Sequence, residues 1–322
     1  MVAVKEYFEF KMVQVYCGFS LDNLSLCFFK FNHQNFCSKA PMDLINILIL
    51  AVIQGAAELL PVSSSAHVII AEKLMGLDPT SPEMTLLLVM LHTGTMFSVI
   101  VYFWRNWLET YFSSKARFLS NARYLVAATA ATGVVGLALL QIIKFIVAKN
   151  SPEFEIEHLF GNTRLMAAAL AAAGILIIVS TRIRSHESGE LSLRSATWIG
   201  AVQGLCLPFR GFSRSGATIS TGLILGVSRQ RAEEFSFALA VILTPAVIAK
   251  EGYRFYKSNL NTGVVDHSQL WHLVGPSLIG MGFSFLAGLA ALRLLSRWLE
   301  QGRWHFFGAY CLLASIVVIC LG

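Results

Sequence analysis

Six stretches of the chain are apolar around their whole circumference rather than on one stripe: about 83–104, 124–147, 164–181, 233–250, 272–294 and 305–321. Runs of about 20 such residues match a hydrocarbon layer ~30 Å thick at ~1.5 Å per helical residue, so each is predicted to be a membrane-spanning helix. Two further regions are apolar but interrupted. Residues 43–77 are broken by Glu58-Leu59-Leu60-Pro61 and three serines, and residues 195–227 by Pro208, Gly211 and Ser-Arg-Ser-Gly. The apolar piece after the first break, AHVIIAEKLMG, has 11 residues and covers only about half of the hydrocarbon layer. Such pieces predict re-entrant hairpins, because non-helical backbone at membrane depth survives only where protein or a wet cavity surrounds it.

Composition narrows the class. The chain has 322 residues, 55% hydrophobic and 14% charged, whereas soluble domains carry about 25% charged residues. The reading is an all-α polytopic membrane protein. The net charge is +6, but no basic, aromatic-interleaved domain lies outside the apolar segments, so nucleic acid is not expected as a partner. The cysteines at 17, 27, 37, 206, 311 and 320 form no CxxC pair and no metal-ligand spacing, so no disulfide framework is expected.

Charge placement gives orientation. The loops near 105–123 (Arg105, Lys115, Arg117, Arg123), 182–194 (Arg182, Arg184, Arg194) and 295–303 (Arg297, Arg303) are basic, whereas 149–162 carries Glu153, Glu155 and Glu157. The basic loops are cytoplasmic under the positive-inside rule, which puts Met42 and Gly322 outside. Residues 1–41 lack a clean helical period and the layout of a signal peptide. At Met42 the pattern changes to MDLINILILAV, so residues 1–41 are expected to be an extension, and 42–322 a single membrane domain.

That domain carries an internal repeat. IQGAAELLPVSSSAH (53–67) aligns with VQGLCLPFRGFSRSGAT (202–218), Gly76-Leu77 with Gly226-Val227, and Glu83 with Glu233. Repeat 1 covers about 42–182 and repeat 2 about 194–322. Each holds one hairpin and three crossings, an odd number, so the second half is expected upside down. In an inverted-topology repeat the broken helices meet near the midplane and form the functional site.

The breaks carry the polar chemistry. Ser63, Ser64 and Ser65 precede a short helix, whose N-terminal N–H groups attract phosphate. With Ser64 as the cap, His67 lies one turn on, and a serine beside a histidine is an activated-nucleophile pattern. Glu58 is placed to orient the histidine, act as a base or hold a divalent cation, and Gln54 shares its helix face. At the second break Ser213, Arg214, Ser215 and Thr218 surround another helix start, where Arg214 offers a fork for phosphate oxygens. Each serine taken singly is accounted for as a cap, and a lone histidine as a packed residue. Their grouping at a membrane-embedded break is what points to function. Arg210 adds positive charge or snorkels. His92, mid-span, reads as packing. The small-residue helix VAATAATGVVGLALL suits close helix contact, and RQRAEEF (229–235) an interfacial helix start.

QGAAELLPVSSSAH and GFSRSGAT resemble the two signature motifs of the undecaprenyl-diphosphate phosphatase (bacitracin-resistance) family. Gln54, Glu58, Pro61, Ser63, Ser64 and His67 match the first. Gly211, Ser213, Arg214, Ser215, Gly216 and Thr218 match the second, with Arg210 where a proline is expected. The resemblance implies hydrolysis of undecaprenyl diphosphate to the monophosphate carrier and phosphate, serving peptidoglycan synthesis and bacitracin resistance. It implies a polyprenyl diphosphate substrate, a divalent cation (Mg²⁺ or Ca²⁺), the bacterial inner membrane and a periplasm-facing site; a homodimer is left open. On this reading Ser64 is the nucleophile, His67 its base, and Glu58, helped by Gln54, positions His67 or the metal. Arg214, with Ser63, Ser213, Ser215 and Thr218, holds the diphosphate. Water on a Glu58-held metal is the variant mechanism. An inverted-repeat transporter or flippase of a phosphorylated lipid is the competing class.

Overall fold

The boundaries of the helices follow from where the chain can and cannot continue one. The computed structural model describes residues 43–78, 81–147, 162–183, 189–262 and 267–321; the expectations for residues 1–41 and for the acidic loop lie outside these. The described residues form α1 (Leu44–Leu59), α2 (Ser64–Leu74), α3 (Pro82–Tyr111), α4 (Lys115–Val147), α5 (Thr163–Arg182), α6 (Leu193–Cys206), α7 (Arg214–Ile224), α8 (Arg229–Thr262), α9 (His267–Glu300) and α10 (His305–Leu321). Ser81 caps α3 by accepting from Met84 N, with Pro82 in its first turn, and Asn162 caps α5 by accepting from Leu165 N. Both interrupted regions are helix–break–helix, as their prolines and glycines predict.

The chain is a multi-pass membrane protein. Among the described residues, five helices are long and apolar enough to cross a bilayer: α3, α4, α5, and the Arg229–Lys250 and Val274–Glu300 parts of α8 and α9. The segment expected as the sixth crossing forms a shorter apolar helix, α10, of 17 residues. The long helices run past the expected spans and shorten the loops. Only residues 112–114 separate α3 from α4, so Arg105, Arg117 and Arg123 ride on helix ends rather than in a loop. With 34 residues each, α8 and α9 reach about 50 Å. Each carries an internal proline, Pro245 in α8 and Pro276 in α9, which removes one backbone donor without ending the helix.

Part of the packing obeys an exchange rule, although α3 also packs extensively on α9 while the exchanged pair, α8 and α4, touches little. α1 packs on α9 and α6 on α4; α3 packs on α8, and α5 on α10. Swapping the first five helices for the last five leaves these pairings unchanged. At the α5–α10 contact the rule becomes reciprocal. A Cβ on Gly174 would stand 2.9 Å from the Gly308 carbonyl oxygen, and one on Gly308 would stand 2.9 Å from that of Gly174. Such close backbone approach is how helices associate where lipid removes the hydrophobic drive. The small-residue stretch of α4 does the same against α6: Thr132 Oγ1 donates to Gly200 O at 2.8 Å.

The start of α8 differs from the expected interfacial segment. Arg229 opens the helix, but Glu233 and Glu234 are buried. Glu234 accepts from Asn106 Nδ2 (3.1 Å), Thr110 Oγ1 (3.3 Å), Gln230 Nε2 (3.1 Å) and Arg231 Nη1 (3.1 Å). A carboxylate so surrounded locks the ends of α3 and α8 together. The repeat-related Glu83 is exposed.

Candidate functional site

Glu58 sits at the end of α1, just before Pro61 stops the helix from continuing. Its two oxygens are engaged from different helices. Ser64 Oγ, on the first residue of α2, donates to Oε2 at 2.6 Å. Arg214 Nη2, on the first residue of α7, donates to Oε1 at 3.0 Å. Ser64 and Arg214 are the residues aligned by the internal repeat, so the two breaks converge on one carboxylate. Gln54 Nε2, one turn back on α1, donates to Oε2 at 3.3 Å. His92 of α3 brings Nε2 to 3.8 Å from the same oxygen. Its sequence reading as a packing residue missed this, since nothing local to LHTGT reveals which helix it faces.

The expected Ser64–His67 pair does not form. Ser63, not Ser64, stands at the cap position of α2, and its side chain caps nothing. Its φ is +68°, a region that L-residues seldom occupy outside functional or strained sites. Its hydroxyl lies 3.3 Å from that of Ser65. With Ser64 inside the helix, its hydroxyl turns to Glu58. His67 is held elsewhere: Nδ1 is 2.8 Å from the Ser63 carbonyl oxygen and Nε2 is 2.6 Å from the hydroxyl of Tyr310 on α10. Cys311, the next residue, donates from Sγ to the Pro61 carbonyl at 3.1 Å. No motif along the chain assigned α10 a part in the site; only its Tyr310-Cys311 pair amid aliphatics marks it.

The second break is closed more tightly. Ser213 caps α7 by accepting from Gly216 N. Ser215 Oγ donates to the Leu60 carbonyl at 3.2 Å, which ties the second break to the first. Thr218 Oγ1 donates to Arg214 O at 2.8 Å and lies 2.6 Å from Ser236 Oγ. Of the expected anion-holding groups, Ser215 and Thr218 are thus committed to backbone and to a neighbour. Arg214 is different: Nη1 is buried and meets no acceptor among the described residues. Arg210 replaces the expected proline without loss of the turn. Phe212 N donates to Phe209 O at 3.1 Å, with Gly211 at φ +104° in the third position. That is the type II pattern, whose second position favours proline but accepts other residues.

The site as a whole is therefore a carboxylate flanked by a hydroxyl, an amide, an imidazole and a half-engaged guanidinium, at the junction of two helix N-termini. Residues 47–317 match the family model described as "Bacitracin resistance protein BacA". The chain belongs to that family. Among its relatives, an undecaprenyl-diphosphatase 2 of Acinetobacter baylyi is 64% identical, over 87% of this chain and 98% of the relative. An undecaprenyl-diphosphatase 2 of Burkholderia orbicola is 32% identical, and an undecaprenyl-diphosphatase 1 of Burkholderia pseudomallei 33%, each over 87% of this chain and 97% of the relative. Both signature breaks of this BacA-family chain lie inside the matched region. No group of three or more His, Cys, Asp or Glu side chains gathers among its described residues as a metal cage would require. Mg²⁺ is commonly held by only one or two carboxylates plus substrate phosphates, and the lone Glu58 carboxylate fits that sparse pattern.

Proposed function

We propose that this protein hydrolyses undecaprenyl diphosphate to undecaprenyl phosphate and inorganic phosphate, which recycles a lipid carrier for peptidoglycan synthesis and underlies bacitracin resistance. The observation that carries the reading is the convergence of Ser64 and Arg214, each the first residue of a broken helix, on Glu58. It stands in a chain whose end-to-end relatives bear the name undecaprenyl-diphosphatase.

In the proposed arrangement the terminal phosphate lies between the N-termini of α2 and α7. Arg214 uses its free Nη1 on a phosphate oxygen, and the helix N–H groups add positive potential. Gln54, Ser63 and Ser213 line this region; Ser215 and Thr218 hold the second break in shape. Ser64 Oγ attacks phosphorus while Glu58 Oε2, already hydrogen-bonded to it, takes its proton. Undecaprenyl phosphate leaves with the electrons of the broken P–O bond. Water then attacks phosphorus with His67 as base, Ser64 Oγ leaves and takes its proton back from Glu58, and phosphate departs. A divalent cation, Mg²⁺ or Ca²⁺, held by Glu58 together with the phosphates, would neutralise charge on the diphosphate.

The architecture that goes with this reading has six crossings and two re-entrant hairpins in an inverted repeat. The exchange rule in helix pairing and the Gly174–Gly308 reciprocity support it. The basic helix ends favour placing the protein in the bacterial inner membrane with the first hairpin opening to the periplasm.

Phosphate release from a polyprenyl diphosphate by the purified protein tests the function. The expected result is turnover in wild type and its loss in Arg214→Ala. No release with any divalent cation sinks the reading and favours transport of a phosphorylated lipid. Ser64→Ala then separates the mechanisms: near-complete loss supports a covalent intermediate, and a modest loss supports attack by water.

A further inference from the structure

His67 is gripped at both ring nitrogens, and the two partners are not equivalent. A carbonyl oxygen only accepts, so the Ser63 carbonyl, 2.8 Å away, fixes the proton on Nδ1. In the neutral ring Nε2 then carries a lone pair, which accepts from the Tyr310 hydroxyl at 2.6 Å. The two rings lie nearly parallel, 15° apart with centroids at 5.7 Å, so Tyr310 constrains the tilt of the imidazole. Cys311 pins the same turn of α10 to the Pro61 carbonyl. The strained first break thus has an outer wall supplied by the last helix of the other half. Tyr310 is 45% exposed and His67 half-buried, so neither ring is sealed from an approaching headgroup or water.

We propose that Tyr310 is a positioning residue for the phosphatase: through Nε2 it holds the ring of His67, already set as the Nδ1–H tautomer by the Ser63 carbonyl, in one orientation and releases Nε2 when the diphosphate and water enter. This rests on the phosphatase reading. It adds that the base of the second step is oriented from α10, as the orienting member of a catalytic group of three generally is.

The test uses full-length Tyr310→Phe, which keeps the ring packing and removes only the hydroxyl. Two measurements are made on detergent-purified protein. In the first, polyprenyl-diphosphate turnover is expected to lose roughly 10-fold in kcat, the scale of lost histidine-orienting partners, with KM changed less than about 2-fold. In the second, His67 is acylated with diethyl pyrocarbonate and followed by peptide mass spectrometry. Freed of its donor, Nε2 is expected to react several-fold faster than in wild type, while exposed His305 reacts at an unchanged rate. Unchanged His67 labelling overturns the proposal whatever the turnover does. Faster labelling with unchanged kcat also overturns it, because the contact then belongs only to the resting structure. Absence of turnover in wild type is a separate failure, of the phosphatase reading itself.

Discussion

The two helix breaks start from nearly the same sequence and are built in opposite ways. At the first, Ser63 bends the chain at φ +68° with no side-chain cap, and much of α2 stays partly exposed. At the second, a glycine takes the positive φ, Ser213 caps the helix, and Ser215 through Leu223 are all buried. The first break spends its serines on the site: Ser64 on Glu58, and the Ser63 carbonyl on His67. The second spends them on structure and leaves one functional group, Arg214, with an unmet donor. A division of labour between two similar breaks accounts for the difference. A clamp for a charged group works best when it is rigid beforehand, whereas a break that presents a nucleophile, a base and a carboxylate must stay reachable.

That contrast can be broken most sharply at Arg214. Arg214→Ala is expected to lower phosphate release by at least about 100-fold, the scale of losing a preorganised donor to a developing charge. Because it also leaves the Glu58 carboxylate short of its ion pair, Arg214→Lys should recover part of the charge but not the fork. Full activity in the lysine variant would show that only net charge matters at the second break.

A rigid second break should be intolerant of backbone change. A Cβ on Gly211 would stand 2.4 Å from the Met166 carbonyl oxygen, at a φ of +104°. The positive φ alone costs ~1–2 kcal/mol, so Gly211→Ala should lower the midpoint of thermal unfolding in detergent strongly. An unchanged midpoint would mean that the turn can be rebuilt. The serine pair gives a finer comparison in the same assay. Ser213→Ala should lose ~1 kcal/mol with its cap. Ser63→Gly removes no cap and relieves the strained φ, so it should be neutral or stabilising within ~1 kcal/mol. Equal losses in both would erase the distinction between a strained and a capped break. The smallest effect is expected at the turn itself: Arg210→Pro, at the second position, suits the turn and restricts the unfolded chain by ~0.4–1 kcal/mol but removes the positive charge beside buried Glu72, so the unfolding midpoint should move little and phosphate release stay near wild type.

The legible parts of the fold were those written in local physics. Apolar length placed the five long helices and the shorter α10, because a backbone in hydrocarbon has no other way to satisfy its N–H and C=O groups. Pro61, Pro208 and Gly211 placed both breaks to within a residue or two. The helix ends were misjudged where α3, α4, α8 and α9 continue beyond the apolar runs, since charged residues are as helical as apolar ones once outside the lipid. Within the site, Glu58, Ser64 and Arg214 were found because they sit at a break, where a buried polar group is conspicuous. The partner of Ser64 was misassigned for a related reason. Counting residues from an assumed cap put His67 on its face, whereas the positive φ at Ser63 shifts the helix start and hands Ser64 to Glu58.

What the sequence settled alone is therefore the class of protein, the two breaks, their sequence likeness and the chemical types brought to them, because hydrophobic length, breaker residues and self-similarity act over a few turns of helix. The tertiary structure decided which groups touch: that repeat-related Ser64 and Arg214 share one carboxylate, that His92 joins it, that Glu234 locks two helix ends, and that Tyr310 of α10 holds His67. These contacts join residues up to 243 positions apart. They depend on how helices of similar composition pack against one another, and in a membrane that choice is made by close fit and interhelical hydrogen bonds rather than by any pattern along a single helix.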